Sequence, residues 1–176
     1  MRVVAGAARG RQLRSPRGRA IRPTSDRARE GIFNSLTSIT DLEGSTVLDL
    51  FAGTGALGIE SLSRGAARAT FVDDDRSALA LIERNLALTG LSGGTVVRAD
   101  AVQFLRNGPH VDIAFADPPY AFDDWPTLLS RLRAGVAVLE SDRPVDVGDE
   151  WRVLRTKRYG GTVVTLAELP PPKGSQ

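Results

Sequence analysis

Four aspartates, Asp49, Asp73, Asp100 and Asp117, each stand at or just beyond the end of a short apolar run, and a glycine-rich turn follows the first of them. Residues 47–58, Val-Leu-Asp-Leu-Phe-Ala-Gly-Thr-Gly-Ala-Leu-Gly, run from a strand pattern through Gly53 and Gly55 into a helical pattern at Gly58. The spacing satisfies G-x-G-x-x-G, and Asp73 lies 20 residues after Gly53, where a ribose-binding acid belongs. The motif alone permits a nicotinamide dinucleotide. Asp49 argues against one, because a carboxylate just before the turn repels a pyrophosphate and opposes the helix N-terminus that would bind it. S-adenosyl-L-methionine carries no phosphate and presents an ammonium and a sulfonium, so the same acid favours it. The competing role for Asp49 is to hold local backbone amides.

The other acids extend this reading. Ala52, Gly53, Thr54 and Gly55 form the turn itself, Asp73 accepts from the ribose hydroxyls, and Asp74 neighbours the adenine. Asp75 is read as the N-cap of the next helix. Asp100 and Ala101 suit the adenine edge, with a helix cap as the alternative use of Asp100.

Asp117-Pro118-Pro119-Tyr120 points to an amine acceptor. The lone pair of an exocyclic base nitrogen is delocalised into the ring, and accepting both of its hydrogens helps to localise it toward a methyl donor. Asp117 and the Pro118 carbonyl are the acceptors. Two prolines fix the backbone and bring no competing N–H. Tyr120 offers a face on which an extruded base stacks. The reaction is an in-line displacement relying on positioning and electrostatics, with no metal and no covalent enzyme intermediate.

Composition narrows the field. The 176 residues are 41% apolar and 25% charged, enough for one compact domain. There is no cysteine, so disulfides, thiol nucleophiles and zinc–cysteine sites are excluded, and with one histidine, His110, a histidine-based metal cluster or triad is not expected. No apolar run reaches the roughly 20 residues of a membrane span, and a cytoplasmic protein with no membrane partner is expected. The net charge of +2 hides an asymmetry. Residues 1–29 hold nine arginines against Asp26, a net of +8, which leaves about −6 for the rest. Such a block is often a solvated, flexible segment; beside a catalytic domain it is also a footprint for phosphate backbones.

The elements that must position these residues alternate. Residues 3–5 and 12–13 predict a small hairpin in the arginine-rich arm. Ser25 then caps a helix over 26–39 whose apolar residues recur at helical spacing. Strands follow at 46–51, 69–73, 95–99, 111–116 and 136–140, separated by helices at 56–64, 77–89, 101–106 and 125–132. Two paired strands, 152–157 and 162–166, turn at Gly160-Gly161. The link 141–150 leaves no room for a helix, so loop alone covers the sheet there. Ligands of such sheets bind at the carboxyl ends of the strands, where the four acids fall. Trp125 and Trp151 are read as packing residues, Trp125 near enough to the tetrapeptide to line its pocket.

The chain resembles the RsmD-like methyltransferases, which modify guanine N2 in small-subunit ribosomal RNA. The resemblance covers most of the chain. It rests on Arg2-Val3-Val4-Ala5-Gly6 with Arg9-Gly10-Arg11, on residues 22–30 from Arg22-Pro23-Thr24 to Glu30, on the 49–58 turn and on Asp117 to Tyr120. Residues 22–30 are its family-specific part. It implies an α/β, class I, Rossmann-like fold with a seven-stranded sheet and a basic N-terminal extension. It also implies S-adenosyl-L-methionine as donor, S-adenosyl-L-homocysteine as product, and ribosomal RNA of the small subunit as substrate. That family often has glutamate at the position of Asp73 and tolerates phenylalanine at that of Tyr120; both changes preserve the role.

The expected organisation is an arginine-rich extension and helix over 1–40 that contacts RNA, a catalytic domain over 41–169 and a disordered tail over 170–176. Arg2, Arg9, Arg11, Arg14 and Arg22 are the expected RNA contacts, in an arm that orders when RNA binds. A monomer is expected. A DNA adenine-N6 or cytosine-N4 methyltransferase suits the tetrapeptide equally but usually needs a recognition segment for which the chain has no obvious room. A protein-glutamine methyltransferase resembles Asn-Pro-Pro-Tyr, whereas position 117 is Asp. A non-catalytic RNA-binding protein with this fold would keep the arginines but has no need of Asp49, Asp73 and Asp117 together.

Overall fold

The computed structural model describes residues 1–16 and 25–170. Seven strands form one sheet in the order β3-β2-β1-β4-β5-β7-β6. Strands β1 (Thr46–Leu50), β2 (Arg68–Asp73), β3 (Gly94–Arg98), β4 (Val111–Ala116) and β5 (Ala134–Ser141) are mutually parallel. Strand β7 (Thr162–Glu168) runs antiparallel between β5 and β6 (Arg152–Tyr159). The order reverses between β1 and β4, so the crevice beyond their carboxyl ends is where a ligand fits.

Alternation along the central strands divides the core between two faces. Val47, Phe71, Ile113 and Val138 face α1 (Asp26–Thr37), α2 (Ala56–Ser63) and α3 (Arg76–Thr89). Leu48, Leu50, Val72 and Leu139 face α4 (Ala101–Phe104) and α5 (Trp125–Arg131). Ser25 caps α1 by accepting from the Ala28 amide, and Asp75 caps α3 by accepting from Ser77. The expected 101–106 helix ends at Phe104 and tightens into a 3-10 turn over 105–107. Loop covers the sheet over 142–151, as expected: Val145, Val147 and Trp151 are buried there, and the Trp151 indole donates to the Leu129 carbonyl.

The N-terminal hairpin forms, through an Arg2–Gln12 bridge and amide bonds from Val3 to Arg11 and Gly10 to Val3. It is not free of the body. Val3, Ala8 and Leu13 are buried in the same core as α1 and α2, and Ala7 and Ala8 donate to Ser63. The Val4 and Ala5 amides donate to Glu60 at 2.8 and 3.0 Å. Glu60 also accepts from Arg64 and pairs with the fully buried Arg29, whose guanidinium in turn donates to the Arg2 carbonyl and to Asp26. The expectation that the arm orders only on RNA thus gives way, for residues 1–16, to packing already present. Apolar residues among the arginines and buried polar partners on α2 outweigh the arginines' mutual repulsion. Residues 17–24, with Arg22, Pro23 and Thr24 of the family-specific stretch, and residues 171–176 of the expected tail lie outside the described residues.

Candidate active site

The glycine turn is built by backbone geometry that few residues permit. Phe51 leaves β1 with φ +56°, and the Ala52 amide donates to the Val72 carbonyl, which ties the turn to β2. Gly55 caps α2 at φ +75°, with Ile82 side-chain atoms 3.2 Å from where a Cβ would stand. At Gly58 a Cβ would sit 2.3 Å from the Phe71 ring, so this glycine sets how closely α2 approaches the sheet.

Carboxylates hold the turn. The Gly53 amide donates to Asp73 Oδ2 and the Gly58 amide to Asp49 Oδ2, each at 2.9 Å. The amide-holding role that competes for Asp49 is therefore present, and it occupies one oxygen of a group with several acceptor sites. Asp73 Oδ1 accepts from the Asp75 amide. Asp49 is only 2% exposed, and burial pushes its carboxyl up from an ordinary 3.8 to about 8; the Gly58 bond opposes this, while the nearby charges of Asp117 and Asp73 add to it. A carboxyl so desolvated and so close to like charges is suited to a cationic ligand.

The remaining cofactor candidates lie around the same edge. Thr54 is half-buried, and its carbonyl accepts from Asn85 at 2.9 Å. Asp74 is exposed, its carbonyl accepting from Arg98. Asp100 caps α4 by accepting from the Gln103 amide at 2.8 Å, so its capping role is present too, and Ala101 is buried behind it. The Ala99 amide donates to the Asp73 carbonyl, which joins the β2 and β3 ends.

Asp117 follows β4, beside the end of β1, with its amide 3.5 Å from the Leu50 carbonyl. Burial raises its carboxyl to about 6. Pro118 is buried, and the Pro119 carbonyl accepts from the Phe122 amide, closing a tight turn. Tyr120 is 44% exposed, and its hydroxyl lies 3.2 Å from Thr162 Oγ1 at the start of β7. The side chain is thus tethered at its hydroxyl and partly exposed. Edge-on contacts run from Phe51 to Phe122 at 5.3 Å and from Phe122 to Trp125 at 5.2 Å, linking the glycine turn to the loop after the tetrapeptide. A cleft of about 480 Å³ lies beyond that loop, between Trp125, Arg143 and Trp151, and none of its lining belongs to the glycine turn.

Arg2, Arg9, Arg11 and Arg14 are exposed on the packed hairpin. Two supporting residues lie outside the sequence motifs. Asn85, fully buried on α3, accepts from the Arg14 amide and donates to the Arg14 and Thr54 carbonyls, joining hairpin and glycine turn. Its signal was present: an amide side chain on the apolar face of a helix, three residues after Ile82. Glu60, an acid inside the apolar stretch of α2, is the other. Among the described residues no cluster of side chains could hold a metal ion, and no helix is long and apolar enough to cross a membrane.

The chain is similar to known proteins over most of its length. The family model described as Conserved hypothetical protein 95 matches residues 1–168. Ribosomal RNA small subunit methyltransferase D of Haemophilus influenzae is 34% identical over 174 residues, covering 91% of this chain and 89% of that protein. The Escherichia coli protein of the same name is 42% identical over 122 residues, covering 68% of this chain and 60% of that protein. Among solved structures, a hypothetical protein of Thermus thermophilus superposes with a TM-score of 0.81 at 32% identity, covering 96% and 99% of the two chains. With its family model spanning nearly the whole chain and a relative alike over most of both lengths, the chain belongs to the Conserved hypothetical protein 95 family, the RsmD family.

Proposed function

We propose that this protein transfers a methyl group from S-adenosyl-L-methionine to the exocyclic N2 of a guanine in small-subunit ribosomal RNA. One observation carries the reading: Asp49 and Asp117, both desolvated, stand at the carboxyl ends of adjacent strands where the sheet order reverses. The names of the H. influenzae and E. coli relatives supply the substrate class.

When bound, S-adenosyl-L-methionine supplies an electrophilic methyl on a sulfonium. Asp49 faces its ammonium, Ala52 to Gly55 line it, Asp73 accepts from the ribose hydroxyls, and Asp74, Asp100 and Ala101 border the adenine. Asp117 and the Pro118 carbonyl accept the two hydrogens of the guanine amino group and direct its lone pair at the methyl carbon. Tyr120 stacks on the base. As the N–C bond forms the sulfonium's bond to the methyl breaks, its electron pair going to sulfur to leave S-adenosyl-L-homocysteine, and the amino group, now a cation, loses a proton to Asp117 or to water. The exposed arginines of the hairpin, and Arg22, meet the phosphates. The protein acts as a monomer in the cytoplasm, on RNA within the small subunit.

Labelled methyl transfer tests the reading, with small ribosomal subunits, naked ribosomal RNA and DNA offered in parallel and Asp117→Ala as control. Label in ribosomal RNA, lost in the variant, is the expected result. Label in DNA alone supports an adenine or cytosine methyltransferase, and RNA binding with no label anywhere supports a non-catalytic binder.

A further inference from the structure

The N-terminal hairpin is tied through Arg2 to Asp26 and Arg29 of α1, a helix that reaches β6 at Ser38, and its other bonds lie on the β1–β3 half of the sheet. It packs on α2 and bonds to Asn85 of α3, the helices that connect β1, β2 and β3, while β5, β7 and β6 lie on the other side of β4. On that far side the edge strand β6 carries Arg152, Arg155, Lys157 and Arg158 and no acid. Their surroundings separate them. Arg152 pairs with Glu168, and Arg155 is half-buried and donates to Ser38. Lys157 and Arg158 are exposed and make no ion pair among the described residues.

Register places these two residues near the reaction. Lys157 lies opposite Val164, itself opposite Glu140, and Arg158 lies opposite Val163, itself opposite Ser141, the last residue of β5. Both are therefore at the carboxyl edge, where Asp117 follows β4. The same end of the β6–β7 hairpin is joined to the acceptor loop by the Tyr120–Thr162 bond. Consecutive residues of a strand point to opposite faces, so Lys157 and Arg158 suit a polyanion lying across the edge, not a small anion held between them. At about 4.8 Å per strand, β6 is about 14 Å from β4, so the phosphates within reach belong to nucleotides flanking the target base.

We propose that Lys157 and Arg158 form a second phosphate-contacting surface, which holds the RNA at the β6 end of the carboxyl edge. The proposal rests on the methyltransferase reading above. Charges on an edge strand also discourage pairing between molecules, and that role by itself predicts self-association of a neutralised variant with RNA binding unaltered.

The test is a salt titration of binding by the full chain to small ribosomal subunits lacking the modification and to naked small-subunit ribosomal RNA. With Lys157→Gln/Arg158→Gln, the slope of log affinity against log salt becomes shallower by about 1 for each residue removed. Affinity near 0.1 M salt falls about 10- to 100-fold, while cofactor affinity is kept. The charge-retaining Lys157→Arg/Arg158→Lys variant keeps the original slope. An unaltered slope in the neutral variant, with or without self-association, overturns the proposal. If the unsubstituted chain methylates ribosomal RNA and the neutral variant keeps its slope, only the β6 surface is refuted; if the unsubstituted chain methylates no RNA, the function reading fails and the β6 surface with it.

Discussion

The Gly58 amide donates to Asp49 Oδ2 at 2.9 Å, and this single bond works against a burial strong enough to hold the carboxyl at about 8. Because the folded value lies above the ordinary 3.8, the contribution of Asp49 to the stability of the ligand-free protein is full below about pH 4 and is lost as pH rises through about 8. A cationic ligand reverses the preference. Binding of S-adenosyl-L-methionine at pH 6 to 7.5 therefore releases a proton, and affinity climbs with pH by up to about tenfold per unit. Calorimetry in buffers of different ionisation enthalpy measures the release. Asp49→Asn binds more weakly and without the proton; release that persists in this variant places the titration elsewhere.

Asp117 titrates lower, at about 6, and its acceptor role needs the ionised form. Methyl transfer at saturating donor falls as pH drops through about 6 and is level above it. Asp117→Asn, which keeps the shape but offers donors in place of one acceptor, loses at least about 100-fold in kcat, on the scale of general acid–base and positioning terms. A kcat flat from pH 5 to 8 removes Asp117 from the reacting centre.

Tyr120 separates stacking from hydrogen bonding. Tyr120→Phe keeps the ring, loses only the Thr162 bond, and changes kcat/KM little. Tyr120→Ala lowers it about 10- to 100-fold, corresponding to about 1–3 kcal/mol of base stacking. Equal losses in both variants assign the residue to holding the β6–β7 hairpin instead.

Much of this arrangement was legible in the sequence, because apolar runs and punctuating glycines are local signals. The five parallel strands, the helices between them and the Gly160-Gly161 hairpin form within a few residues of their expected bounds. Where they differ, long-range pairing decides. Strand β5 begins at Ala134 because that residue pairs with Val111, and β6 continues to Tyr159 because Arg158 and Tyr159 pair with Val163 and Thr162. Phe51 falls outside β1 because its positive φ already starts the turn. The strand-end acids were legible as a set, but not which backbone amides each would hold. The packed hairpin was hidden for a different reason. Val3, Ala8 and Leu13 recur every five residues, a spacing of neither strand nor helix, and the hairpin's polar partners Glu60, Ser63 and Asn85 lie more than 50 residues from the amides they hold.

Gly58→Ala tests the packing that positions the turn. Its Cβ would meet the Phe71 ring at 2.3 Å, so helix or ring must move. The expected loss is about 1–3 kcal/mol. Thermal unfolding then shifts down by about 2–4 °C for each kcal/mol. Combining it with Phe71→Leu recovers part of that loss; strictly additive effects would show that the two residues do not compete for space.

Arg9 and Arg11 are exposed on a hairpin that they help to hold through backbone bonds, which substitution of their side chains leaves in place. Arg9→Ala/Arg11→Ala weakens RNA binding and flattens its salt dependence while cofactor affinity stays the same. An unaltered salt titration counts against the hairpin as an RNA contact.

The central claim, methylation of a guanine amino group, is tested most directly by identifying the modified nucleoside. Small-subunit ribosomal RNA lacking the modification is incubated with the protein and S-adenosyl-L-methionine, digested to nucleosides and analysed by mass spectrometry against standards. N2-methylguanosine formed by the unsubstituted chain and absent with Asp117→Ala is the predicted result. A methyl group on any other atom, or N2-methylguanosine undiminished in the variant, contradicts it.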